Sequence, residues 1–585
     1  MTTPDKNPQV SKDTKVIDQL FAELDNYKQS SQVQRSDIND IYAAYVGEMD
    51  DPKDQSKSQE KIMKLRTEVN YIVPSIFSGN PEIEVTQIGE EDRDIAFVAE
   101  KIINHRINTI PQAYEKIEAW VKQAVVFGTS LMSVVWNFEA KDNEDKTRTP
   151  IKDEPDLMVP NILDCFYNPI IPDVECQPSI IFRSVLSLEE VRENTAYNEN
   201  RKKVEGKNQS SSDPYNSSRQ VQSDRIDVQR SSNGTIEIYE RITEDRIQTV
   251  ADGKERLLLR DVENPYGMYI VKLIHEPNAI PNRFDGFGVG HNTLGLGRLI
   301  QKLSNRLQDA VNLGNNPHFL GRKGAGIDKR QLVIRAGGLT EVDGDGPLQE
   351  AIQPLQVPDI KSGALALLNR FDDEHKRASG ANDLMQGAAS NKTLGQDQLA
   401  STYSSSRFEL INRRFKQALA DVGRLIFKME VENLQSVDSP ILKIFPSRDD
   451  LETVLERNPN QDVTKIISRE TAYEMLINAR ENGDIDLNVK VKGETNVARN
   501  KDMLLKQFSD WYNLFGPILP PQNQLAAAKK WLELRGIDDA DKLVPSMDEQ
   551  ETQAPQMAPE AQGVPQETPM MNPGMMQQGF PTQPM

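Results

Sequence analysis

The chain has 585 residues, a formal net charge of −20 and a pI near 5.0. This length predicts about four domain-sized units, and the acidic balance argues against a protein that reads a DNA sequence, because such proteins carry a basic domain. Many soluble proteins are acidic, so the charge by itself does not identify a partner.

The N-terminal third predicts a mixed domain of helices and strands. Residues 1–12 are polar and predict a disordered start, and helical stripes then begin at Val16 and Ile38. A charged hinge is predicted over 50–60. Further helices are predicted at 61–78, 90–107, 113–127 and 187–193, and strands at 82–88, 130–138 and 180–185.

Residues 198–233 are mostly Ser, Asn, Arg and Gln, with almost no apolar residue. This composition cannot bury a core, so it predicts a mobile surface insertion. Strands resume after it and predict a meander, at 235–241, 246–250, 255–259 and 268–273.

Two helices of matched length follow. The first runs from His291 to Leu313 and ends at Gly314, because Gly tolerates left-handed geometry and Pro317 lies just beyond. The second starts at Asp359, a good N-cap, and runs to about Ser379. Each is roughly 30 Å long at about 1.5 Å per residue, so the two predict an antiparallel pair. The predicted packing positions are Leu296, Leu299, Leu303, Leu307, Ala310 and Val311 in the first helix, and Ile360, Ala364, Leu368, Phe371, His375 and Ala378 in the second.

The insert between these helices, residues 315–358, predicts a small β-module. Short β-rich runs lie at 318–320, 331–335 and 339–342, with Gly-rich turns between them. The first part of the insert is basic, which suits contact with phosphates or with an acidic protein, although an exposed loop also gains solubility from such charges. This basic set is Arg322, Lys323, Lys329 and Arg330.

After the second helix, residues 380–396 are rich in Gly, Ala, Ser and Asn and predict a mobile loop. A helix of about 40 residues is predicted from Gln396 onward, because apolar residues recur at alternating spacings of three and four. Its stripe is Phe408, Ile411, Phe415, Ala418, Val422, Leu425 and Met429. Strands are then predicted at 441–445 and 485–491, helices at 465–482, 498–514 and 522–534, and a disordered tail at 548–585.

Common catalytic motifs do not occur in the sequence. There is no Gly-x-x-x-x-Gly-Lys phosphate loop and no Gly-x-Ser-x-Gly elbow. Gly286 and Gly288 begin a dinucleotide fingerprint, but His291 stands where its third glycine belongs. We therefore expect neither nucleotide binding nor catalysis at these positions.

The cysteines and histidines predict no metal site. Cys165 and Cys176 form no Cys-x-x-Cys pair and are expected to be structural thiols in a reducing compartment. His375 lies on the apolar side of its helix and is expected to be packed. The longest apolar run, 125–136, is too short to span a bilayer, and no secretory signal is evident. We therefore expect a protein that is intracellular where it is made.

The order and length of these elements resemble the portal protein of tailed double-stranded DNA bacteriophages. The resemblance includes the first helix that ends in Asn315-Asn316-Pro317, the loop 380–396, the passage Gly79-Asn80-Pro81 before a strand, the helix–strand join at Gly128, and Phe166-Tyr167-Asn168-Pro169. It implies an α+β portal fold with a mixed wing, a helical stem, a small β-containing clip, a long tunnel helix and a helical crown. The implied ranges are a disordered N-terminus at 1–12, wing at 13–284 with the mobile insertion 198–233, stem helices at 285–314 and 359–380, clip at 315–358, tunnel loop at 381–396, long helix at 397–436, wing strands and crown at 437–547, and a disordered tail at 548–585.

The resemblance also implies the function. Twelve identical subunits would form a ring at one capsid vertex, first in the host cytoplasm during assembly and then in the virion. Gln386, Asn391 and Lys392 in the tunnel loop would contact double-stranded DNA without sequence preference, and the basic set on the clip would contact an adaptor, the terminase or DNA. Other implied partners are tail, major capsid and scaffold proteins, with no membrane, cofactor, metal or catalytic residue. Two alternatives stay open: another virion structural or scaffold protein, and an uncharacterised enzyme, which a convergent polar pocket would reveal.

Overall fold

The computed structural model describes residues 8–48, 58–77, 79, 81–86, 93–142, 148–206, 235–315, 319–321, 352–354, 362–381, 394–448, 467–482 and 488–491, together with scattered residues from 508 to 532. The chain divides into two compact units, Met1–Asn496 and Val497–Met585. All elements described below belong to the first unit, which has a mixed α+β fold.

The α-helices described in this unit are, in chain order, α1 (Pro8–Ser30), α2 (Gln32–Val46), α3 (Lys64–Ile76), α4 (Arg93–Thr109), α5 (Ala113–Phe127), α6 (Leu188–Glu193), α7 (Val289–Asn315), α8 (Ser362–Ser379), α9 (Leu394–Glu432) and α10 (Arg469–Asn482). Helix α1 begins at Pro8, so residues 8–12 are helical and the prediction of disorder there is wrong. Proline suits the first turn of a helix because its missing N–H would have no helical partner.

The described strands are β1 (Ile83–Thr86), β2 (Thr129–Asp142), β3 (Arg148–Met158), β4 (Cys165–Phe166), β5 (Ile180–Ser187), β6 (Thr235–Ile242), β7 (Arg246–Asp252), β8 (Arg256–Glu263), β9 (Ile270–Ile274), β10 (Phe319–Gly321), β11 (Ile352–Pro354) and β12 (Asn488–Val491). They form antiparallel sheets in the orders β4-β5-β6-β7-β8, β3-β2-β9, β1-β12 and β10-β11. The predicted meander is confirmed for β6, β7 and β8, whereas β9 joins the other sheet.

Helix α1 covers the five-stranded sheet. Its residues Leu20, Phe21, Leu24 and Tyr27 are buried against this sheet in a hydrophobic cluster of their own. After β5, the Ser187 side chain caps α6 as the first member of a capping box with Glu190. A 3₁₀ turn at Glu199–Lys203 then follows. Residues 199–203 are therefore ordered, although they fall in the predicted mobile insertion, and residues 207–234 lie outside the described part.

The main core lies where α9 crosses α3, α4 and α5. The predicted stripe of α9 is confirmed, since Phe408, Ile411, Phe415, Ala418, Val422 and Met429 are all buried and Leu425 packs against the cluster. Phe415 lies with its ring centre 5.7 Å from that of Phe77 in an edge-to-face contact, an arrangement that adds to the gain from burial. Gly423 lets α9 approach β1, because a Cβ there would lie 2.9 Å from Ile83 Cδ1.

One strand predicted after α9 is wrong. Residues 441–445 were predicted as a strand, but Pro440–Ile444 forms a 3₁₀ helix. A short apolar run fits either structure, and proline at the first position favours the helical turn. The strand predicted at 485–491 is confirmed over Asn488–Val491, where it pairs with β1.

Candidate functional site: the helix pair and its anchor

Both groups of residues that the sequence predicted as contacts lie outside the described part of the chain. Gln386, Asn391 and Lys392 fall within 382–393, and the basic set Arg322, Lys323, Lys329 and Arg330 falls within 322–351. The structure instead describes the elements from which these two stretches emerge, namely α7, α8, α9 and the β10–β11 ladder.

Helices α7 and α8 form the predicted antiparallel pair. Gly297, early in α7, faces His375, late in α8, since a Cβ on this glycine would lie 3.5 Å from Nε2 of the histidine. At the other end of the pair, β10 and β11 are antiparallel, with Gly321 opposite Ile352. The pair is thus a hairpin with a small β-ladder at its far end.

Helix α3 anchors α8 through polar side chains. His375 is buried as predicted, and its Nδ1 lies 2.7 Å from Oε1 of Glu68, with side-chain exposures of 1% and 4%. We assign Nδ1–H as the donor, because a carboxylate accepts. One turn away in α8, Asp372 pairs with Lys64 of α3 and lies 3.5 Å from Lys376. Two successive turns of α8 are therefore held to α3 by ionic or hydrogen-bonded contacts.

A short segment just before α3 anchors α7. We call residues 58–62 the strap. The backbone N–H groups of Ser58, Glu60 and Ile62 donate to side-chain oxygens of Asp309, Asn305 and Gln301, at 2.7, 3.1 and 3.2 Å. The Gln301 amide also donates back to the Glu60 carbonyl. The strap overlaps the predicted hinge at 50–60, and its described residues are tied to α7.

Glycines form the joint between α7 and the rest of the first compact unit, which we call the body. A Cβ on Gly288 would lie 2.5 Å from Gly128 N and 2.6 Å from Val126 O, both backbone atoms. Gly128 has a φ of +87°, a left-handed value that favours glycine. Gly286 and Gly290 likewise have no room for a side chain. These glycines, which only resembled a nucleotide fingerprint, allow two backbone segments to touch.

The buried side of α7 differs from the predicted stripe. Leu299 and Val311 were predicted to pack but are 48% and 44% exposed, whereas Ile300 and Gln301 are buried. The reason is that the strap hydrogen-bonds to the polar row of Gln301, Asn305 and Asp309. This row therefore faces the strap, and α7 is rotated relative to the predicted orientation. Leu365 and Leu367 of α8 are also exposed, at 55% and 41%.

Helix α7 also carries a row of basic side chains. Arg298, Lys302 and Arg306 are spaced four residues apart, so they lie along one side of the helix. Arg298 reaches Asp40 of α2 at 3.0 Å, while Lys302 and Arg306 are exposed and form no ion pair with the described residues. This side of the pair can meet an anionic surface.

The end of α9 contains a buried ion pair. Glu430 pairs with Arg106 of α4, which also reaches Glu154 at 2.9 Å. Burial raises the pKa of Glu430 to about 7, and Asp153 and Glu154 add to the rise, while Arg106 opposes it. A small cavity of about 170 Å³ lies beside the pair, with Trp136 in its wall.

The described residues bear on the expectations for metal binding, membrane spans and thiols. Among them, no group of three or more His, Cys, Asp or Glu side chains could hold a metal ion. No helix in the described part is both long and apolar enough to cross a membrane. Both cysteines are free, but Cys176 is exposed, so the predicted structural role fits only the buried Cys165.

The mixed α+β body, the helix pair with its β-ladder and the 39-residue α9 together fit a phage portal protein. The phage SU10 portal protein family matches residues 15–161 and 147–439, which together cover more than half of the 585 residues. The chain therefore belongs to the phage SU10 portal protein family, as the resemblance predicted. No curated protein matches the chain.

Sequence reasoning placed the helix pair correctly but missed its anchor. Glu68 and His375 are 307 residues apart, and no local pattern connects them. The alternating donors of the strap are backbone groups, which leave no trace in the side-chain pattern. The polar row of Gln301, Asn305 and Asp309 at four-residue spacing was the one available signal.

Proposed function

We propose that the chain is the subunit of a closed ring at one capsid vertex, in which α7 and α8 form the stem of a channel for double-stranded DNA. Membership of a portal family supports this assignment. The ring number implied by resemblance is twelve. Such a protein acts structurally rather than as an enzyme, and a terminase supplies the energy for packaging.

The observation that carries the ring is the position of the exposed leucines on α8. Leu365 and Leu367 are both large, apolar and exposed. They are two residues apart, so their side chains are about 200° apart around the helix and point to nearly opposite sides. Exposed apolar side chains on both flanks suit a head-to-tail contact, in which each subunit offers two different faces. A ring closes when such contacts repeat around an axis.

In the channel, the 382–393 stretch would meet the DNA. Lys392 provides one positive charge per subunit, so a ring would present weak phosphate contacts distributed around the duplex, which favours sliding over tight binding. Gln386 and Asn391 would add neutral contacts. The net charge of −20 per chain keeps the rest of the wall from holding the duplex.

The basic set Arg322, Lys323, Lys329 and Arg330 would act at the far end of the stem. It lies in the 322–351 stretch, between β10 and β11. Four positive charges in a short stretch can bind an acidic adaptor or tail protein, or the terminase. We therefore assign this stretch to docking and the 382–393 stretch to DNA. Major capsid and scaffold proteins would surround the ring at the vertex.

Native mass spectrometry with negative-stain imaging tests the ring. Wild-type protein is expected as closed rings of about a dozen subunits with a central hole. Leu365→Asn and Leu367→Asn should each lose closed rings, because each removes one flank, and their equimolar mixture should stop at dimers. Ile170→Asn is the control, because Ile170 is 63% exposed and lies outside the helix pair. Wild-type rings from both leucine variants would refute this interface, and a monomer at all concentrations would refute the ring.

A further inference from the structure

The strap is matched to α7 in spacing. Its partners Asp309, Asn305 and Gln301 are four residues apart, which is about 6.0 Å along a helix. Its donors are two residues apart, which is about 6.6 Å along an extended chain. These repeats agree closely over the two steps between the three contacts, and the strap runs antiparallel to α7, with Ser58 at Asp309 and Ile62 at Gln301.

This match fixes the register of the strap. A slip of one residue would turn the N–H groups of Gln59 and Lys61 toward α7 and move the present donors away. A slip of two residues would keep the donors but would place one of them beyond the end of the polar row. Gln301, which both accepts from Ile62 and donates to the Glu60 carbonyl, permits only the observed position.

The strap buries little of its own side chains. Gln59, Glu60 and Lys61 are exposed, and Ser58 and Ile62 are half-buried. Its attachment therefore depends on hydrogen bonds that exchange for water at modest net cost, and segments with few buried apolar contacts open most readily. The strap can leave α7 while the core stays folded.

The strap is continuous with the anchor of the second helix. It leads directly into α3, where Lys64 and Glu68 hold α8. Gly47, which ends α2, lies close against this segment, since a Cβ there would lie 3.1 Å from Met63 Cγ and 3.4 Å from Lys61 Cβ. Residues 58–68 thus touch both helices of the pair and the end of α2.

We propose that the strap is a releasable clamp that sets the tilt of the α7–α8 pair against the body. When the hydrogen bonds between the strap and α7 are formed, residues 58–68 hold both α7 and α8. When the strap leaves α7, the pair keeps its anchor on α8 and its glycine joint but gains freedom to change its angle. The clamp is a property of the subunit fold and does not depend on ring closure.

Hydrogen exchange on the full-length protein tests whether the strap is hydrogen-bonded to α7. The amides of Ser58, Glu60 and Ile62 should exchange slowly and those of Gln59 and Lys61 fast. The double variant Gln301→Ala/Asn305→Ala should speed exchange at Glu60 and Ile62 at least about tenfold. Asn305→Asp retains an acceptor oxygen and should keep the protection, and Asn312→Ala, an exposed asparagine on the same helix, is the matched control.

Spin labels then test the tilt. Cysteines at Asp94 in α4 and Asn369 in α8, both exposed, are labelled in a Cys176→Ser background and diluted with unlabelled subunits. The distance distribution should broaden or shift in the double variant and match wild type in Asn305→Asp and Asn312→Ala.

Fast exchange at all five amides in wild type would overturn the proposed hydrogen bonding of the strap to α7. Faster exchange with an unchanged distance distribution would overturn control of tilt by the strap. If the wild-type protein forms no rings while the strap amides still exchange slowly, the proposed function is contradicted and the clamp proposal stands.

Discussion

Glu430→Gln is the sharpest test of the core electrostatics. Glu430 is 4% exposed at the end of α9, and burial raises its pKa to about 7 from an ordinary 4.5. At about 1.36 kcal/mol for each pH unit, this rise amounts to about 3 kcal/mol. Because the folded protein holds the proton more tightly than the unfolded chain, this contribution to stability is complete below pH 4.5 and is lost as the pH rises to about 7.

The assay is the free energy of unfolding in denaturant between pH 5 and 8, for wild type, Glu430→Gln and Glu432→Gln. The amide introduced by Glu430→Gln can still accept from Arg106 but does not ionise, so wild type should lose about 2 kcal/mol relative to this variant between pH 5 and 7, and less than about 0.5 kcal/mol more above pH 7. Glu432 is exposed two residues away, so its variant should follow wild type. A wild-type pH slope in Glu430→Gln would refute the reasoning, because another group would then cause the slope.

Three further substitutions test the anchor, the joint and the channel. Gly288→Ala should destabilise the fold by about 1–3 kcal/mol, because its Cβ would meet backbone atoms, whereas Gly295→Ala, with open space around it in α7, should stabilise by up to about 1 kcal/mol; thermal unfolding of both variants separates the two signs. Glu68→Ala should cost about 1–3 kcal/mol in denaturant unfolding by leaving buried His375 without its acceptor, and Glu68→Gln, which retains an acceptor, should cost less. Lys392→Ala should weaken retention of packaged DNA in a nuclease-protection assay while Lys392→Arg preserves it, and equal retention by both would remove Lys392 from the DNA contact.

The elements that the sequence predicted well are those with strong local patterns. Helix α5 has the predicted bounds, Ala113–Phe127, because an apolar stripe and the stop at Gly128 both lie within its own sequence. Helix α9 begins within two residues of the predicted Gln396 and buries its predicted face. The helix predicted at 187–193 is observed at Leu188–Glu193, where Ser187 forms a capping box with Glu190. In each case the deciding interactions are a few residues apart.

Strand β3 shows why other elements escape. It contains Pro150 and Pro155 and many charges, which argue against a central strand. In the structure β3 is at the edge of its sheet, with Pro155 opposite Trp136 of β2, and an edge strand tolerates both proline and charge. Its position in the sheet, which no local pattern encodes, decides whether such a sequence can be a strand.

The anchor of the helix pair was beyond sequence reasoning for a related reason. The burial of His375 could be predicted from its helix face, but its partner could not. A buried histidine requires an acceptor, and the sequence offers 89 acidic residues without indicating which one. Only packing of α3 on α8 selects Glu68.

The three attachments of the helix pair differ in kind, and the difference determines how the pair can move. At Gly128 and Gly288 two backbones touch, so that joint has no room for sliding. At Glu68 and His375 the contact is buried, so breaking it leaves polar groups without partners. At the strap, Gln301 is buried, but Asn305 and Asp309 are only half-buried, so water can replace their contacts. Movement therefore begins at the strap and pivots about the glycine joint, and the far end, with β10 and β11 about 30 Å or more away along α7, travels furthest.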